Sequence, residues 1–173
     1  MNSRMLDAKR RVRRELSCIN MALVIAFCAG ALLLFVFFAV TGVKREVVEE
    51  LIFPRVCLSP FFFWFFFTLS VLFFAAGAAA AVSTPTGRAG KEKGTLLLLF
   101  FCSLVLLYAW LPITYTAARF FLSVLMILVL LIALAAQFTL AMRINRVAAY
   151  LFFAFAIWAF YLLYYSFSLF LLN

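Results

Sequence analysis

Long apolar runs alternate along the chain with short polar breaks. The runs cover about residues 21–40, 61–82, 95–115, 120–142 and 147–172. Each approaches or exceeds the roughly 20 residues that a helix needs to cross the hydrocarbon core of a bilayer. The longest and most polar break is 41–60, TGVKREVVEELIFPRVCLSP. Its Glu46, Glu49 and Glu50 alternate with Val47, Val48 and Leu51, which predicts a short amphipathic helix across the mouth of a bundle. Pro54 and Pro60 bracket an irregular stretch after it. Residues 83–94 read as a hydrophilic turn, 116–119 as a short hairpin with Arg119, and Arg143 to Arg146 as a tight turn. The pattern predicts an all-α membrane protein with five transmembrane helices in a single bundle. Residues 1–20 form a basic juxtamembrane segment, 21–173 the transmembrane domain, and 41–60 a lid over the bundle. The 21–40 run is longer than a signal-peptide apolar region, and Phe27 before Cys28 spoils a lipoprotein-type cleavage site, so this run is read as the first span.

Four features stand out inside the runs. The last one carries no charge from Val147 to Asn173 and is unusually aromatic. Phe155, Trp158, Tyr161 and Tyr165 follow at steps of three, three and four, which places them on one helix face. Such a stripe can line a slot for a flat apolar ligand; packing surface or lipid-facing filler is the plain alternative. The second run ends in small residues, where Ala75 with Ala79 and Gly77 with Ala81 permit close helix approach. Packing within the bundle is one use of those pairs, and a dimer seam the other. Gln137, the one strongly polar residue of the fourth run, suits a hydrogen bond to a neighbouring helix. The third run contains Trp110 and Pro112.

Composition narrows the chemistry. Hydrophobic residues make up 69% of the chain, against about 45–50% in soluble domains. There is no His, which removes the commonest general base, metal ligand and haem ligand. Asp7, Glu15, Glu46, Glu49, Glu50 and Glu92 all lie outside the apolar runs, so no carboxylate is available at membrane depth. Cys18, Cys28, Cys57 and Cys102 show no metal-site spacing. The net charge of +9 sits beside the spans, where orientation signals and anionic lipid contacts belong, and does not point to nucleic acid. The N-terminal segment, the 83–94 turn and the 143–146 turn carry eleven basic residues; Lys44, Arg45, Arg55 and Arg119 are the four on the other side. The positive-inside rule therefore predicts an inside N-terminus and an outside C-terminus. The 41–60 loop then shares a side with Asn173. No internal repeat is visible, which argues against an inverted-repeat transporter.

Several stretches resemble the TspO/translocator protein family, the tryptophan-rich sensory proteins. Its last helix reads A-A-x-L-L-x-P-Y-x-x-W, and Ala148, Ala149, Leu151, Phe155 and Trp158 stand at matching positions. The ending from Tyr164, Tyr165 and Ser166 to Leu171, Leu172 and Asn173 is similar to the family's ending. Trp110-Leu111-Pro112 stands where the family has W-S-P. Leu51 and Pro54 keep the L-x-K-P spacing, and Phe67-Thr68 matches a Trp-Thr pair. This sequence departs from the pattern at Val47-Val48, where the family has Trp-Tyr, at Ala154-Phe155 for Pro-Tyr, at Ser166 and Leu107 for Asn, and in having no basic residue after Tyr161.

The resemblance implies a five-helix bundle, commonly a homodimer, with a pocket between the helices under the first loop. It implies a flat hydrophobic ligand, a porphyrin or other tetrapyrrole or a sterol-like molecule, bound for transport, sensing or regulation. Trp158, Phe155, Tyr161, Tyr165, Trp110, Trp64, Phe67 and Ser166 are the expected ligand-binding residues, and Arg45, Arg55 and Arg119 possible partners for ligand carboxylates. No cofactor is required, and a haem-like ligand would bind without His ligation. Membrane lipids are the other expected partner, and a bacterial cell membrane the expected location. Two alternatives stand beside this reading. One is a structural or partner-binding membrane protein without a small ligand. The other is photo-oxidative porphyrin breakdown, which needs a reactive Trp pair.

Overall fold

The computed structural model describes residues 16–17, 19–41, 43, 48–49, 51–54, 58–85 and 90–173. The basic residues from Arg4 to Arg14, together with Arg45, Arg55 and Glu46, Val47 and Glu50 of the expected amphipathic helix, lie outside the described residues. Among the described residues five long helices follow one another: α1 (Met21–Thr41), α2 (Pro60–Ser83), α3 (Gly90–Tyr115), α4 (Phe120–Ile144) and α5 (Arg146–Leu172). All five are long and apolar enough to cross a bilayer. No strand occurs among the described residues. The protein is an integral, multi-pass membrane protein with the five-helix fold class that the apolar runs predict. Helices satisfy their own backbone polar groups, which hydrocarbon cannot do for them.

The helices close into a ring. α1 packs on α2 and α3, α5 packs on α2 and α4, and α3 packs on α4. α1 is the most peripheral member, burying only Ala31 and Phe35. The hydroxyl of Tyr108 on α3 holds it by donating to the Ala31 carbonyl at 2.6 Å. On α2, Ala75, Ala79 and Ala81 are buried and Gly77 faces α5. The small-residue pairs thus serve packing inside the bundle. Gln137 donates to the Leu99 carbonyl at 3.0 Å and to Ser103 Oγ at 2.7 Å, joining α4 to α3. Ser123 and Thr114 hydroxyls make a second α3–α4 link at 2.7 Å.

Local chemistry sets the ends. α3 starts at Gly90, ahead of the apolar run that begins near Thr95, because its polar first turns find partners. Glu92 sits in the first turn, where the helix dipole favours an acid, and pairs with Arg143 at 3.6 Å. The Lys93 ammonium donates to the Val82 carbonyl at 3.0 Å and to the Thr84 carbonyl, closing the end of α2. Asn145 both ends α4 and starts α5. Its N–H reaches the Ala141 carbonyl at 2.7 Å, and its Oδ1 accepts from the Val147 N–H at 2.8 Å.

The α3–α4 turn contains one strained residue, Ala118, at φ 50. A Cβ in that left-handed region costs ~1–2 kcal/mol, partly offset on substitution by the extra chain entropy of glycine. Ala118→Gly is therefore expected to stabilise the fold by about 0.5–1 kcal/mol, a rise of roughly 2 °C in the thermal midpoint for a chain of this size. Unfolding of detergent-solubilised protein followed by circular dichroism reads this shift.

Candidate functional site

A cavity of about 440 Å³ opens at the end of the bundle where the first loop crosses it. From the loop, Val43, Val48, Phe53, Leu58 and Ser59 line it. α2 contributes Pro60, Phe63 and Trp64, α3 contributes Tyr115, and α5 contributes Tyr165. The walls are almost wholly apolar. The main polar feature is the Tyr115 and Tyr165 hydroxyls, hydrogen-bonded to each other at 2.9 Å. Three bonds that the fold makes across long sequence separations hold the loop in place. Asn173 closes on Ile52 from both sides: Oδ1 accepts from the Ile52 N–H at 2.9 Å, and Nδ2 donates to the Ile52 carbonyl at 3.1 Å. The Tyr161 hydroxyl accepts from the Leu58 N–H at 3.2 Å. The end of α5 and the loop therefore lie on the same side of the bundle.

The aromatic stripe of α5 faces α2 along its length. Phe155 stacks on Phe74 at 4.5 Å between centroids. Trp158 lies 5.7 Å from Phe63 and 6.1 Å from Phe66, and Tyr161 lies 6.3 Å from Phe63. Tyr165 lies 5.3 Å from Phe63. Among these four only Tyr165 reaches the cavity. Trp158 and Tyr161 line a second depression, a groove of about 400 Å³ on the outer side of the α2–α5 seam, with Phe66, Leu69, Ser70 and Phe73.

The eight residues expected to bind ligand thus divide into three groups. Trp64 and Tyr165 are on the cavity wall. Trp158 and Tyr161 are on the groove. Phe67, Trp110, Phe155 and Ser166 are fully buried in the bundle, on neither surface. Phe67 stacks on Phe35 at 5.1 Å. The Trp110 indole N–H donates to Ser166 Oγ at 2.9 Å, so this pair ties α3 to α5. Arg119 lines a separate depression with Phe121 and Phe170, while Arg45 and Arg55 lie outside the described residues. Sequence reasoning missed Phe63, Leu58 and Tyr115. Phe63 is one of a run of phenylalanines, and nothing local distinguishes it from Phe61 or Phe62, which face outward.

A family model described as the TspO/MBR family matches residues 21–172, nearly the whole chain. No curated protein matches the sequence.

Proposed function

The chain belongs to the TspO/MBR family, and from that premise we propose that it binds a flat hydrophobic molecule, a porphyrin or a sterol-like compound, in the cavity beneath the first loop. The observation that carries this reading is the cavity itself: about 440 Å³, apolar, covered by loop residues and bordered by Trp64 and Tyr165. Ligand pockets fall in the ~300–1,000 Å³ range and are lined mainly by apolar and aromatic side chains with few polar groups. Burying roughly 300 Å² of apolar ligand surface at ~25 cal/mol per Å² yields about 7 kcal/mol before association costs. Micromolar affinity is the expected scale once the costs of association and the gain from ring contacts are set against each other. The Tyr115–Tyr165 hydroxyl pair supplies an orienting contact for an oxygen-bearing group on the ligand.

Charge supports an orientation with the cavity on the outer side. Lys91, Lys93, Arg143 and Arg146 gather at the opposite end, at the starts of α3 and α5 and the end of α4, which suits the inside of a membrane. Photo-oxidative chemistry gains little support from the geometry, because Trp64 alone among the three tryptophans borders the cavity.

Titration of purified protein with protoporphyrin, and separately with a sterol, tests the reading through tryptophan fluorescence. Saturable quenching at micromolar ligand is the expected result for at least one of the two. A well-folded preparation that shows no saturable change with either sinks it.

A further inference from the structure

At Leu58 the cavity and the membrane-facing groove are separated by one side chain. Leu58 lines both spaces. Phe63 lines the cavity on one side, and its ring lies within 5.7 Å of Trp158 and 6.3 Å of Tyr161, which line the groove on the other. A side-chain hydrogen bond fastens Leu58 to α5: its backbone N–H donates to the Tyr161 hydroxyl at 3.2 Å. Among the described residues Trp158 Nε1 is a buried donor with no partner. An unpaired N–H at membrane depth is unfavourable, and a ligand carbonyl or carboxyl oxygen relieves it.

We propose that the α2–α5 seam is a lateral portal: the cavity ligand partitions into the bilayer, enters the groove, and passes Leu58 when the Leu58–Tyr161 bond opens. The ligand class is a flat apolar molecule with an oxygen acceptor at one edge. That oxygen reaches the Trp158 indole N–H, buried as it stands, when the ring turns toward the groove, and meets the Tyr115–Tyr165 pair after passing Leu58. Tyr161 is a positioning residue in this scheme, holding the loop against the seam. The outer surface of the groove is apolar, with Phe73 and Ile157 exposed, as a route from hydrocarbon requires. A route from water past the loop would need no such surface and no opening at Tyr161. The proposal rests on the reading of the cavity as a ligand site.

Stopped-flow quenching in lipid nanodiscs with protoporphyrin tests it. Tyr161→Phe keeps the ring and removes the acceptor for the Leu58 N–H. Association and dissociation should both quicken about three- to tenfold, with the equilibrium constant nearly unchanged, since the bond lost belongs to the closed gate. Ala154→Phe places a ring in the groove without touching the cavity wall, and should slow association from the bilayer while leaving the final quenching amplitude intact. Parent-like rates in both variants, with saturable quenching preserved, overturn the portal and leave the binding site standing. Absence of quenching in the parent protein overturns the site and the portal with it.

Discussion

Gly77→Leu is expected to break the α2–α5 interface. A Cβ at Gly77 would lie 3.1 and 3.2 Å from two atoms of the Phe152 ring and 3.3 Å from the Ala148 carbonyl oxygen. The ring can shift, but the carbonyl belongs to the first turns of α5, which Asn145 fixes through the Val147 and Ala148 N–H groups. A single methyl is therefore near the limit of what the seam takes. Gly77→Ala should be close to neutral, because ~1 kcal/mol of helix propensity offsets a displacement of a few tenths of an ångström. Leucine adds a branched group with no space to enter, and overpacking of this kind costs about 3 kcal/mol. That corresponds to a fall of roughly 10 °C in the thermal midpoint for a chain of this size. Unfolding in detergent with the three proteins side by side measures it; parent-like stability in the leucine variant would show that the helices do not approach this closely. Closeness at Gly77 matters for the site because the same seam, nearer the other end of the helices, carries Phe63, Trp158 and Tyr161.

The spans were legible because each apolar run is long enough to cross the membrane and is closed by charged or turn-forming residues. Gly77 and the alanines around it were legible as a close-packing stripe for the same reason: only small side chains let helix backbones approach. The stripe from Phe155 to Tyr165 was legible as one face of α5, and that face does meet α2. Periodicity gives a face, however, and not a depth. In a soluble protein the polar side of a helix marks what is outside, but here nearly every side chain is apolar and the outside is lipid, so burial leaves no trace in composition. Phe61 at 73% exposed and Phe63 at 5% are chemically the same residue. Only the crossing of α2 with α5 separates them. The loop contacts were equally hidden, since the Asn173 side-chain amide and Ile52 meet across 121 residues, and on the Ile52 side the contact is made by backbone groups that every residue carries.

Trp110→Ala and Trp64→Ala should have opposite signatures, although the sequence places both tryptophans in the same expected pocket. Trp110 is completely buried, its N–H is bonded to Ser166, and its ring meets Tyr115 at 5.8 Å and Tyr165 at 6.3 Å edge-on. Truncation leaves a large void and a broken α3–α5 link, at a cost of about 3–5 kcal/mol. The protein that does fold should still bind with a dissociation constant close to the parent's, because the cavity wall loses none of its own residues. Trp110→Phe, which keeps most of the volume, is the variant that isolates the Ser166 bond and allows the affinity to be read on well-folded material. Trp64 is half-buried, rests on Phe35, Phe63 and Phe67 at 5.4–6.0 Å, and presents its remaining face to the cavity. Its removal should cost less stability and weaken binding about tenfold, the loss of ~1.4 kcal/mol of ring contact. Thermal midpoints together with quenching titrations on the four proteins resolve the two effects, with Trp158 remaining as the reporter in the Trp64 variant. Equal loss of affinity in the Trp110→Phe and Trp64→Ala variants would mean that the ligand reaches deeper than the cavity under the loop, between α3 and α5, where the side chains now close.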